Sequence, residues 1–221
     1  MSADRFSVTQ LDDLDRIPIG ETGLEWRPIR RQFGLRAFGM NAYSSSRVGG
    51  EVVEEHHEEY LGHEEVYVVV RGHATFHLDG EDVDARAGTV VVLRDPSVRR
   101  GATAVDADTI VLAVGGKPGE AFTPSAWESY FSAAPLAREG RYDDAVALML
   151  ADADAYPDHP GFLYNLACYE ALANSREDAL THLARAVELN PRFVEFAAKD
   201  SDFESLRDDP RFDEVLARRA T

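Results

Sequence analysis

His56, His57 and His63 fall in one short stretch that also holds Glu54, Glu55, Glu58, Glu59, Glu64 and Glu65. Imidazole and carboxylate at this density support two kinds of chemistry. Neutral ring nitrogens and carboxylate oxygens together ligate divalent transition metals. Without a metal, the same groups take up and return protons near neutral pH. A run of like charges between two strands is also an ordinary solvated loop. Further along, Arg94, Arg99 and Arg100 flank Asp95-Pro96. All three read as surface residues beside a turn, or Arg99 is the counter-charge for these acids. An arginine stays protonated and has no lone pair, so it cannot ligate a metal, but it can fork onto a carboxylate.

The residues around this stretch read as short strands. Val66–Val70, Ala74–Leu78 and Val90–Leu93 are rich in β-branched and aromatic residues, and Leu35–Tyr43 and Thr109–Val114 add two more. Arg71-Gly72 and Ala87-Gly88 break the runs, and Asp79-Gly80 is a strong two-residue hairpin signal. Several short strands at this spacing suggest a sandwich or a closed barrel. His73 and His77 stand four apart, so they share one face of their strand.

Gly50, then His56-His57-Glu58 after five intervening residues, then Glu65 and Gly72, resembles the first motif of the cupin family. The second motif resembles Gly88 to Arg99, with Arg99 at the place of that family's last histidine, and 15 residues separate Gly72 from Gly88. The resemblance spans roughly residues 24–118 and implies a small jelly-roll barrel. In the family two histidines, the glutamate and the last histidine hold a divalent metal. Here His56 and Glu65 remain, Glu58 stands at the second histidine position and Arg99 at the last. The expectation is a metal-free pocket built from His56, Glu58, His63, Glu65 and Arg99. In it Arg99 faces Glu58 or Glu65, or binds an acidic group of a ligand. The alternative is one divalent transition metal on two histidines and a carboxylate, with Arg99 turned outward.

The last third follows a different period. Ala145 and Pro157 recur as Ala179 and Pro191, shifted by 34 residues, which is the length of one tetratricopeptide unit. Small residues such as Ala167 and Ala186 sit where helices approach closely, and each proline ends a unit. This region resembles the tetratricopeptide family, with Asp152 at a usual alanine position. Two units bury little surface alone. Phe193, Phe196, Phe203, Leu206, Phe212, Val215 and Leu216 therefore read as a closing helical region.

Composition narrows the partners. The net charge of −17 divides into −7 for residues 1–118 and −10 for 119–221, so neither part suits a phosphate backbone. The single cysteine, Cys168, excludes an intrachain disulfide and reads as a buried helical residue. No apolar run approaches the roughly 18 to 20 residues of a membrane span. Met1–Arg5 does not begin like an export signal, so the expected location is the cytoplasm.

The expected architecture is all-β plus all-α. An N-terminal segment (1–23) precedes a cupin-type jelly-roll β-barrel (24–118), a linker (119–124) and a short α-helical tetratricopeptide-like solenoid with C-terminal caps (125–221). The expected function is non-enzymatic binding or sensing of a small ligand in the barrel. The helical repeats would present a peptide- or protein-binding surface, and the barrel would pair two copies. The alternative is a cupin-type enzyme on a small metabolite. It is either a metal-dependent oxygenase or isomerase, or a metal-free isomerase with His56 or His63 as base.

Overall fold

Alternation of β-branched or small residues with charged ones builds the first part of the chain. Its strands are β1 (Ile17–Ile19), β2 (Leu24–Arg27), β3 (Gly39–Ser45), β4 (Glu51–His56) and β5 (Glu64–Arg71). They continue with β6 (His73–Leu78), β7 (Glu81–Arg86), β8 (Val90–Leu93), β9 (Arg100–Ala104) and β10 (Thr109–Gly116), and a short helix α1 (Ile29–Phe33) follows β2. These elements come from a computed structural model that describes residues 6–217. Met1–Arg5, on which the expected absence of an export signal rests, lie outside the described residues.

The strands form two antiparallel sheets, ordered β1-β2-β3-β10-β5-β8 and β4-β9-β6-β7. Val52, Val53, Tyr67, Val69, Phe76, Val91, Leu93, Ala102 and Val111 are buried together as one core. The first sheet starts earlier than residue 24, because Ile17 pairs with Trp26. The strand expected from Leu35 begins only at Gly39. Residues 51–56, open to reading as part of a charged loop, are a strand that buries Val52 and Val53.

Two turns set the hairpins. Asp79 and Gly80 have φ of 49° and 87°, so a two-residue turn with both φ positive joins β6 to β7. At Gly72, where φ is 75°, a Cβ would lie 2.5 Å from Thr109 Oγ1 and 2.9 Å from its Cα. Only glycine fits there.

The chain divides into two compact units after Pro124. The second holds α2 (Trp127–Arg138), α3 (Tyr142–Leu150), α4 (Pro160–Leu172), α5 (Arg176–Leu189), α6 (Phe193–Ala197) and α7 (Pro210–Leu216), with a 3-10 stretch at Ser201–Leu206. Pro160 opens α4, where its missing N–H costs nothing, and the His159 ring accepts from Phe162 N. α4 packs on α2, α3 and α5. The alanines at 145, 167, 179 and 186 are fully buried, as close helix approach requires, and Cys168 is buried too. Phe203, Leu206, Phe212 and Val215 join the core of α4 and α5, whereas Phe196 is exposed. Among the described residues no helix is long and apolar enough to cross a membrane.

Candidate functional site

Three strands of the sandwich deliver one charged cluster. His56 ends β4, Glu65 and Tyr67 lie two apart on β5 and so share a face, and Arg100 begins β9 directly opposite His56. Glu58 and His63 lie in the connection between β4 and β5. That connection is anchored by Glu58 N donating to Pro96 O at 2.8 Å and Gly62 N to Glu58 O at 2.7 Å.

Glu65 is the hub. Its Oε2 accepts from Tyr67 Oη at 2.8 Å, faces Arg100 Nε at 3.0 Å and lies 3.7 Å from His56 Nε2. Glu58 stands between two imidazoles, with Oε1 3.7 Å from His56 Nε2 and Oε2 3.1 Å from His63 Nδ1. His56 Nδ1 lies 2.7 Å from Glu54 O and, as its donor, leaves Nε2 directed at both carboxylates. His63 is buried beside the Phe122 ring, with centroids 5.5 Å apart.

The shifts in proton affinity follow from this layout. Burial pulls His56 down, but Glu65 and the Glu54 carbonyl outweigh it and its pKa is raised. Burial pushes Glu58 up, as does the charge of Glu65, and the two histidines only partly offset them. Burial would raise Glu65 too, yet His56, Tyr67 and Arg100 hold it below the usual carboxylate value. Tyr67 is raised well above its ordinary value by burial and by Glu65.

Arg99 does not take the place expected for it. Its guanidinium is 63% exposed and pairs with Glu55 at 3.1 Å, on the outside. The reason is strand alternation. Arg100, Ala102 and Ala104 point into the sandwich, so the residue before Arg100 points out. The inward positive charge is therefore Arg100, which is fully buried, with Nη1 donating to Val98 O at 2.8 Å and Pro96 O at 3.2 Å. His73 and His77 lie on the opposite face of β6 from the buried Ala74 and Phe76. There they pair with Asp84 and Asp82 of β7.

His56 Nε2 and one oxygen each of Glu58 and Glu65 lie within 4.8 Å of one another, a spacing that one ion spans. The surroundings do not fit such an ion. The Glu65 oxygen nearest His56 is already engaged by Tyr67 and Arg100, and a divalent cation there would adjoin a fixed guanidinium. Sequence reasoning missed Arg100, Tyr67 and Phe122. For Arg100 a signal was present in the alternation Arg100-Gly-Ala-Thr-Ala, which reads as a strand with small inward residues.

The β-unit is a β-sandwich of two antiparallel sheets. No protein-family model matches the chain, and no curated protein matches it. Among solved structures it is similar to a sugar phosphate isomerase of the cupin superfamily from Silicibacter pomeroyi. That match has 18% identity, 50% of this chain, 76% of that one and a TM-score of 0.42. It is also similar to a predicted oxalate decarboxylase from Thermotoga maritima (23% identity, 50% and 99% covered, TM-score 0.41). An RmlC-like cupin from Shewanella frigidimarina matches at 18% identity, with 52% and 94% covered and a TM-score of 0.39.

Proposed function

We propose that the β-unit is a cupin-type enzyme site that moves a proton on a small metabolite without a resident metal, as an isomerase does. The observation that carries this reading is Glu58 standing between His56 and His63, 3.7 and 3.1 Å away. His56 is one-third exposed, so a substrate reaches it, and its Nε2 in the neutral form accepts a proton. Glu65, held ionised, stabilises the imidazolium that forms. Glu58, placed between the two imidazoles, holds His56 in position, and the His56 imidazolium returns the proton to the neighbouring substrate carbon, so that one base serves both half-reactions.

The test follows hydrogen exchange from D2O into a panel of small sugars and hydroxy acids by proton NMR. We expect one class to exchange, and His56→Gln to slow it by about 100-fold or more. Exchange that persists in the variant, or none above buffer for any of them, overturns the proposal.

A second reading keeps the sandwich as a ligand-binding or sensing unit and gives the helical unit the partner role. It is supported by the buried Ala145 and Ala179 at one spacing and by the packing of α4 on both helices before it. On this reading the helices are a tetratricopeptide-like module for a peptide or protein. Pairing of two copies is supported by the outer face of the larger sheet. There Val90 and Val92 are 55% and 47% exposed, and Val92 lines a hollow of about 380 Å³ together with Val66 and Val114.

A further inference from the structure

A buried guanidinium with unused hydrogen-bonding capacity needs a reason. Arg100 is fully buried, yet among the described residues neither its Nε–H nor its Nη2 finds a hydrogen-bond acceptor. Its Nε contact with Glu65 is close in distance but is not an aligned hydrogen bond. What Arg100 supplies inside the sandwich is charge, fixed in place by the Pro96 and Val98 carbonyls on Nη1. That charge stands against the two carboxylates and the imidazole whose donor atoms converge within 4.8 Å.

We propose that the Arg100 guanidinium is the resident cation of this site, in the role a divalent ion would otherwise have, and that replacing this one residue opens a transition-metal site. The β4–β9 register puts residue 100 opposite His56. A side chain there therefore points at the same volume as His56, Glu58 and Glu65. An uncharged imidazole at 100 removes the repulsion, frees Glu65 Oε2 from its cationic neighbour and adds a fourth donor, giving two histidines and two carboxylates. The inference holds whether or not the site turns over a substrate, because it concerns charge and ligation alone.

Cobalt(II) is the probe, since its visible absorption reports ligation directly, with isothermal titration giving the stoichiometry. The full-length wild type is expected to bind no ion that His56→Ala removes. Arg100→His is expected to take up one ion per chain, at least roughly 100-fold tighter than any His56-independent binding by the wild type. That uptake should vanish in Arg100→His with His56→Ala. Arg100→Gln, neutral and able to donate to the Pro96 and Val98 carbonyls, gives a second route. Its uptake, weaker but dependent on His56, supports the proposal if the histidine variant does not fold. Wild-type binding that depends on His56 overturns it. So does a folded Arg100→His or Arg100→Gln that binds no more than the wild type.

Discussion

Moving the inward positive charge from residue 99 to residue 100 changes what two neighbouring arginines are worth. Arg99 sits in water against Glu55, and exposed pairs contribute about 0 to 1 kcal/mol. Arg100 is buried against Glu65, and removing one partner of a buried pair costs about 3 to 5 kcal/mol. Thermal melts should therefore show Arg99→Ala close to wild type and Arg100→Ala strongly destabilised. Equal effects would contradict the placement. The titrating groups predict a pH dependence with a definite sign. His56 is raised from 6.5, so its contribution is complete below that value and is lost as pH rises through the raised one. Glu58 is raised from 4.5, so burying it costs stability increasingly as it ionises above that point. Glu65 is lowered, so its contribution is present above 4.5 and is lost in stronger acid. The melting temperature of wild type relative to His56→Gln should accordingly be more favourable near about pH 6 than near about pH 9. A difference that grows toward alkaline pH would reverse the assigned sign.

At the scale of elements, turns and caps hold the frame on which these groups sit. Gly72→Ala forces a Cβ onto Thr109 at the start of β10, with φ at 75°. The loss should exceed about 1 kcal/mol by denaturant titration, and a neutral effect would mean that β10 gives way locally. In the helical unit Asp200 caps the 3-10 stretch at 201–206 and accepts from Tyr164 Oη at 2.7 Å. Asp200→Ala should cost about 1 kcal/mol in the same assay. How far these elements were legible in the residues depends on their chemistry. The valine-rich β5 and β8 and the Asp79-Gly80 hairpin announce themselves through β-branching and turn chemistry. β7, written Glu-Asp-Val-Asp-Ala-Arg, buries only Ala85 and so lacks an apolar face to read. β9 is made of small residues around a buried arginine, and missing it displaced the site charge by one position. His56, Glu58, His63 and Glu65 were legible as a cluster because they lie close in the chain. Their link to Tyr67 and Arg100 was not, because it exists only across paired strands.

At the scale of the whole chain, two units with separate cores imply that damage to one stays there. Hydrogen exchange of full-length Arg100→Ala should lose protection across residues 51–116 and retain it across residues 142–216. Loss of protection throughout would show that one cooperative transition governs both. The central claim is narrower, namely that His56, Glu58, Glu65 and Arg100 form one coupled charge network poised for proton transfer. An NMR titration of the His56 imidazole measures it most directly. We predict a wild-type midpoint above the ordinary 6.5, falling when Glu65 is changed to glutamine. A midpoint at or below the ordinary value, unmoved by Glu65→Gln, would contradict the account.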